Sequence, residues 1–383
     1  MRTAIVHNFP TSYRLPLFEL FSNEENYEVK VFFTGGSPAH RKDRQTKDST
    51  VQWEILPGIA LKIFGSGQDS MNINLDIRPI ISFGPDVVLI YGYLDWTSYF
   101  VALWCRLRRI PYLLFAEVTY NSSSLSSLLI RPFVRALSHG ASGIGAGSNN
   151  TADYFRKLGT PPEKIHLVRC IPDLDSLRTE IQQRKDMLSN LRSTLGVQNK
   201  IVVLYIGRLT NSKGLFDLIE AFSITKQHRN DLQLVICGTG PLIEQVKIKA
   251  HEVNPVDINV LGFVPRERLV DWLSVTDVHI MPSWSEALGL VVLEALASGI
   301  PSITTSTSGA EEFIKEGING YIVPPRNPEA LAKAILAAVE DPVRLKRMKE
   351  AAMHSVEGIN YREVLHQLEN AINIAIHSSF RGG

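Results

Sequence analysis

The sequence predicts two doubly wound parallel α/β sheets in tandem. Three observations carry this: short apolar runs alternate with amphipathic stretches, the alternation breaks once near residue 172, and it then restarts. At 383 residues the chain is too long for one compact core, so two or three domains are expected.

In the first half Thr3–His7, Tyr27–Phe33, Asp86–Tyr91, Pro111–Ala116 and Ser142–Gly145 read as short buried strands. Tyr13–Phe21, Thr97–Arg108, Ser127–Leu137 and Ala152–Leu158 read as the helices between them. Two polar stretches, Gly35–Thr50 and Gly65–Asn74, are long for loops in a compact domain and point to function or disorder. The rhythm breaks at C-I-P-D-L-D, Cys170–Asp175, and a charged helix is expected over Ser176–Leu195, closed by Gly196. Strands follow at Ile201–Ile206, Leu232–Cys237, Ile258–Leu261, Asp277–Met281 and Ser302–Thr304. Their helices are Gly214–Lys226, Leu242–Val253, Arg266–Leu273 and Leu288–Ala297. The last stops at Gly299 with Pro301 beyond it, ordinary C-terminal signals. Further helices are expected at Pro328–Val339, Asp341–Ser355 and Tyr361–Ile376, the last returning to the first domain after Gly358. The domains are therefore 1–172 with about 359–383, and 173–358, with the ligand ends of both sheets around one shared cleft.

Composition narrows the function. A hydrophobic content of 44% and a charged content of 21% are those of a globular protein, and 40 basic against 39 acidic residues predict no bulk attraction to nucleic acid. Cys105, Cys170 and Cys237 are odd in number and widely spaced, which argues against a disulfide framework or structural zinc and for a reducing compartment. The N-terminal apolar run is too short for a signal peptide, and no stretch is long enough to span a membrane. A cytoplasmic protein is expected.

The chemistry concentrates at strand ends of the second half. After Ile206 comes G-R-L-T-N-S-K-G, Gly207–Gly214, which opens a helix. Gly207 allows close backbone approach, the helix start offers free N–H groups, and Arg208 and Lys213 add two cations. This describes a phosphate or diphosphate seat, or equally a solvated turn with two surface cations; it is not a P-loop. Gly238 and Gly240 in G-T-G-P fit either backbone approach by a nucleotide or a tight turn. Leu261–Val264, with Phe263 and Val264, could offer backbone groups to a base edge. In P-S-W-S-E-A-L-G-L-V-V-L-E-A-L-A-S-G-I-P, Pro282–Pro301, a helix apolar nearly all round carries Glu294, and Glu286 precedes its first turn. A buried carboxylate needs hydrogen-bonding partners. The helix supplies no cation, so the partner of Glu294 is a polyhydroxylated ligand or an Arg or Lys from elsewhere; Glu286 faces the same ligand or caps the helix.

In that order, Gly-Arg-Leu with Lys213, Gly-Thr-Gly-Pro, Leu-Gly-Phe and the E-x7-E of Glu286 and Glu294 resemble the group 1 (family 4) glycosyltransferases of GT-B type. The resemblance continues through Ser308–Pro324 and the Pro-x-x-Leu-Ala helix; it is strong over about 200–355 and weak over the first domain. It implies two Rossmann-like domains facing across a cleft and retaining transfer of a sugar from a nucleotide-diphosphate sugar, UDP first and GDP second. The acceptor would be a glycan or lipid-linked, in cell-surface polysaccharide or glycolipid synthesis. Arg208, Lys213 and Glu286 would be catalytic: the two cations on the donor diphosphate, Glu286 facing the donor sugar where Ala287, Leu288, Gly289 and Leu290 present backbone groups. Glu294 would take the ribose hydroxyls, with Gly207, Gly238, Gly240, Phe263 and Val264 around the nucleotide. Neither a metal nor a cofactor is implied.

Some positions depart from the family. The first loop, H-N-F-P-T-S-Y-R, lacks the usual double glycine, leaving Arg14 or the backbone to meet phosphate. Glu117 in F-A-E-V-T-Y stands where a histidine is common, as an acceptor or sugar contact or as a plain cap, and Ser308 replaces a frequent glycine. Asp173-Leu174-Asp175 has the D-x-D form of a metal pair but is better placed to cap a helix. The basic-apolar segments Trp104–Ile110 and Leu128–Leu137 either touch a lipid surface at the inner face of the membrane or pack on the sheet with arginines outward. Competing readings are a sugar-nucleotide epimerase or isomerase on the same fold, and a non-catalytic nucleotide-sugar binding module.

Overall fold

A computed structural model describes residues 1–11, 13–35, 49–62, 70–93, 95–117 and 125–381. The chain divides into two compact units, residues 1–171 with 360–383, and residues 172–359. The stretches 36–48 and 63–69, most of the two long polar loops read from the sequence, lie outside the described residues, as do 118–120 of F-A-E-V-T-Y.

The first unit runs β1 (Arg2–His7), α1 (Leu15–Ser22), β2 (Glu28–Phe33), β3 (Gln52–Ile55), β4 (Ile59–Lys62), β5 (Ser70–Ile73), α2 (Arg78–Phe83), β6 (Val87–Tyr91), α3 (Trp96–Arg108), β7 (Tyr112–Ala116), α4 (Leu125–Gly140), β8 (Gly143–Ala146), α5 (Asn149–Lys157) and β9 (Ile165–Leu167). Seven strands form one sheet in the order β3-β2-β1-β6-β7-β8-β9, parallel throughout. Its central strands are continuous apolar runs, V-V-L-I-Y in β6 and Y-L-L-F-A in β7, buried at every position. That is what helices on both faces require.

The second unit runs α6 (Leu174–Arg184), α7 (Leu188–Thr194), β10 (Ile201–Ile206), α8 (Leu215–Lys226), β11 (Leu232–Cys237), α9 (Ile243–Val253), β12 (Ile258–Gly262), α10 (Arg266–Val275), β13 (Val278–Met281), α11 (Leu290–Ala297), β14 (Ser302–Thr305), β15 (Gly320–Val323), α12 (Pro328–Val339) and α13 (Pro342–Ser355). Its six parallel strands follow the order β12-β11-β10-β13-β14-β15. The order reverses between β10 and β13, and ligands of such sheets bind at the carboxyl ends of the strands flanking that point. The last helix, α14 (Tyr361–Arg381), belongs to the first unit and packs on α1 and on β7, β8 and β9.

Several elements differ from the sequence reading. The charged helix expected over Ser176–Leu195 is two helices with a 3-10 turn, Lys185–Met187, between them. The break turns Leu188, Leu191 and Leu195 onto the cluster holding Val197 and Val202. Strand β3 is not among the expected strands: Q-W-E-I alternates polar and apolar residues, but the run is only four residues long and mostly exposed, with no buried face to mark it. The hairpin of β4 and β5 extends into the stretch read as irregular, with Ile59 opposite Ile73. Strands β9 and β15 are only three and four residues long.

Candidate active site

At the reversal point of the second sheet, two loops carry the candidate residues: 207–214 after β10, and 282–289 after β13. Backbone packing holds them together. Gly214 has φ +64°, and a Cβ there would lie 2.2 Å from Pro282 O, so the position requires glycine. Trp284 donates its backbone N–H to Ser212 O (2.8 Å) and its indole Nε1–H to Asp217 Oδ2 (2.6 Å). The Arg326 guanidinium lies 4.3 Å above the indole centroid, a cation–π contact. Arg326 itself has φ +58°, a conformation that residues with side chains seldom adopt.

The consequence is that Lys213 and Glu286, 73 residues apart, meet: Lys213 Nζ donates to Glu286 Oε2. Both side chains are only about a fifth exposed, at 21% and 20%. Glu286 Oε1 accepts from Leu288 N–H (3.4 Å), and Glu286 O accepts from Gly309 N–H (2.8 Å), fixing the loop to the turn after β14. That turn comes close: a Cβ on Gly309 would sit 1.9 Å from Ala287 O, and the Ser308 hydroxyl is buried beneath Gly289. Gly289, at φ +71°, starts α11, whose first turn has no capping side chain and no acid. The positive end of the helix thus adjoins Ala287, Leu288 and Leu290.

Glu294 lies within α11, and the partner its helix lacks comes from α10. Arg266 Nη1 donates to Glu294 Oε1 at 3.3 Å, while Arg266 Nη2 reaches Glu180 Oε1 at 3.4 Å. Burial pushes the Glu294 carboxyl above its ordinary value, and Arg266 offsets part of that rise. Oxygen Oε2 of Glu294 has no protein partner among the described residues. The distant cation is thus present, and it engages one of the two carboxylate oxygens.

Arg208 is exposed at the start of the first loop and makes no ion pair among the described residues. The glycines of G-T-G-P have a structural cause. A Cβ on Gly238, where φ is +145°, would lie 1.8 Å from Gly207 O, and one on Gly240 would lie 2.4 Å from Leu209 O. Their missing side chains make room for the 207–209 backbone. Phe263 beyond β12 is exposed, and Val264 packs half-buried against the helix side of the sheet. Asp173 caps α6 by accepting from Ser176 N–H (3.0 Å), and Asp175 pairs with Arg178 (2.7 Å). Among the described residues no cluster of His, Cys, Asp and Glu has the make-up of a metal site. Burial pushes the Cys105 and Cys237 thiols up to about 12, as befits packing residues.

In the first unit, Arg14 and Glu117 come together. Arg14 is buried at the start of α1, donates from Nη2 to Glu117 Oε1 at 2.6 Å, and stacks 4.8 Å from the Tyr91 ring centroid. Its Nε is buried without a hydrogen-bond partner among the described residues. The glycine-free first loop is secured instead by side chains. Asn8 donates to Tyr91 O (3.2 Å) and Asp95 Oδ2 (3.1 Å), and the Thr34 hydroxyl donates to the same oxygen at 2.6 Å.

Sequence reasoning missed Trp284, Asp217, Arg326 and Arg266. Trp284 stood inside a quoted motif, and a tryptophan in a polar turn was the available signal. The others act from separate elements, and no local pattern marks them.

Residues 189–355 match the family described as glycosyl transferases group 1, and residues 23–170 match the glycosyl transferase 4-like domain. The α-D-kanosaminyltransferase of Streptomyces kanamyceticus is 28% identical over 199 residues, 51% of this chain and 50% of that protein. The amylovoran biosynthesis glycosyltransferase AmsK of Erwinia amylovora is 29% identical over 224 residues, 55% of this chain and 52% of that protein. The chain thus spans about half the length of these curated relatives. Anabaena HepE, solved in complex with UDP, superimposes with a TM-score of 0.78 at 17% identity, covering 97% of this chain and 100% of that one, which establishes a shared GT-B fold. With matches over most of both units, the chain belongs to the group 1 glycosyl transferases.

Proposed function

We propose that the protein transfers a sugar from a nucleotide-diphosphate sugar to a glycan or lipid-linked acceptor, with retention at the anomeric carbon and without a metal. Residues 173–358 would hold the donor, and residues 1–172 with 359–383 the acceptor. The observation that carries the reading is the meeting of Lys213 and Glu286 where the second sheet reverses order.

In this reading Arg208 and Lys213 take the charge that develops on the departing diphosphate, a preorganised electrostatic stabilisation. The start of α11 adds a partial positive charge beside Ala287, Leu288 and Gly289. Glu286 accepts from a donor-sugar hydroxyl, with Lys213 exchanging the carboxylate for the phosphate as the donor enters. Glu294 accepts from the ribose hydroxyls through Oε2 while Arg266 steadies the other oxygen. Gly207, Gly238, Gly240, Phe263 and Val264 line the nucleotide side. No protein nucleophile is invoked: the two carboxylates lie on one chain segment rather than flanking a bond, unlike the pair in retaining hydrolases. In the first unit, Arg14 and Glu117 contact the acceptor, Glu117 being the more exposed of the pair. UDP is the first choice of nucleotide and GDP the second; HepE has been solved with UDP and with UDP-glucose. The cell-surface polysaccharide or glycolipid role follows relatives such as AmsK.

The test is release of nucleoside diphosphate from UDP- and GDP-sugars, with and without acceptor glycans, followed by NMR assignment of the product anomer. Acceptor-dependent release with the donor's configuration kept supports the proposal. Conversion of the donor sugar without any acceptor would favour the epimerase reading, and absence of turnover with tight donor binding the non-catalytic one.

A further inference from the structure

Helix α3 leaves one face without a protein partner. Trp96, Phe100, Leu103 and Leu107 fall at i, i+4, i+7 and i+11, a single stripe, and they are 43%, 36%, 55% and 76% exposed. The opposite side of the helix, Thr97, Val101, Ala102 and Cys105, is buried on the sheet. Phe133 of α4, 52% exposed, extends the patch: its ring centroid lies 6.4 Å from that of Trp96 and 6.3 Å from that of Tyr99. A patch of five large apolar side chains on a water-facing surface marks an interaction site.

The two helices that carry it bear charge of one sign. Helix α3 ends in Arg106, Arg108 and Arg109, and neither 96–109 nor 125–140 contains an Asp or Glu. Beside Phe133, α4 and the end of α5 enclose a surface cavity of about 570 Å³ lined by Arg131, Arg135, His139 and Lys157. Apolar stripe and cationic border together match a bilayer interface. Tryptophan and leucine enter the boundary between headgroups and acyl chains, and each cation near an anionic headgroup adds attraction. No described helix is long and apolar enough to cross a membrane, so the contact is with its surface.

We infer that the face formed by α3 and α4 docks on an anionic phospholipid surface. Trp96 begins α3 directly after Asp95, whose carboxylate ties the segment after β6 to the carboxyl ends of β2 and β1 through Thr34 and Asn8. The aromatic end of the stripe therefore lies at the sheet edge that also carries Arg14 and Glu117, where a lipid-linked acceptor would be delivered. The docking itself stands apart from the sugar-transfer reading and is tested without turnover.

The full chain is floated with vesicles of phosphatidylcholine alone and of phosphatidylcholine with an equal share of phosphatidylglycerol. The wild type rises with the anionic vesicles, less so as salt is added. Leu103→Glu/Leu107→Glu and Arg108→Glu/Arg135→Glu each lower the partition by about tenfold or more, with an unchanged melting temperature because these side chains are exposed. Three results would overturn the inference: no flotation of the wild type, equal flotation with neutral vesicles, or variants that float like the wild type. Sedimentation showing a dimer that Leu103→Glu/Leu107→Glu dissociates, without vesicle binding, would assign the face to a second copy instead and equally overturn it.

Discussion

At the residue scale, what fixes the candidate site is one tryptophan. Trp284 joins the Lys213 turn to the Glu286 loop through Ser212 and Asp217 and lies under Arg326. Trp284→Ala should free both loops and lower kcat of sugar transfer more than it raises the donor KM, by roughly tenfold to a hundredfold. Trp284→Phe keeps the ring under Arg326 and loses only the indole hydrogen bond, so it should recover much of that loss. Equal defects in the two variants would show that ring packing does not position the site. Lys213 and Glu286 were legible because each lies in a short motif at a strand end. Their pairing, and the support from Arg266, Asp217 and Arg326, was not, because partners 28 to 73 residues apart leave no local pattern.

At the element scale, the turn after β11 serves the turn after β10. Gly238→Ala would drive a methyl against Gly207 O, 1.8 Å away, at a φ of +145°. Gly196→Ala meets nothing within 4 Å and carries only the cost of φ +72°. The account expects Gly196→Ala to lose about 1 kcal/mol and Gly238→Ala about 3 kcal/mol or more in denaturant titration, the second with a raised donor KM. Similar losses with unchanged KM would mean that the two turns are independent. The strands that the sequence revealed are the buried apolar runs, which need no partner to be recognised. Exposed β3 and the short strands β9 and β15 gain their structure from neighbours already in place, and the kink at Lys185–Met187 from where the leucines of α7 must land.

At the scale of the whole molecule, both sheets follow one plan, reversing strand order beside β1 and beside β10, and α14 returns the chain to the first unit. The interior of the second sheet imposes a pH limit. His279 in β13 is fully buried, with Nδ1 2.6 Å from Ser302 Oγ and Nε2 without a hydrogen-bond partner among the described residues. Burial depresses it from 6.5 to about 3, so the folded chain binds fewer protons than the unfolded one between those values. Its contribution is intact above the unfolded value and is lost as pH falls toward the folded one. From about pH 7 to about pH 5 the loss should be roughly 2 kcal/mol, and His279→Asn, which keeps a partner for Ser302, should reduce it. Denaturant titrations of the two proteins at both pH values test this; parallel pH curves would contradict it.

The central claim is that Lys213, paired with Glu286 at the reversal point of the second sheet, receives the donor diphosphate. It is tested most directly by measuring UDP-sugar turnover, with UDP binding by calorimetry, in the wild type and Lys213→Ala. The account predicts turnover lower by roughly 10²-fold or more and weakened UDP binding in the variant. Wild-type turnover and UDP affinity in Lys213→Ala would contradict it.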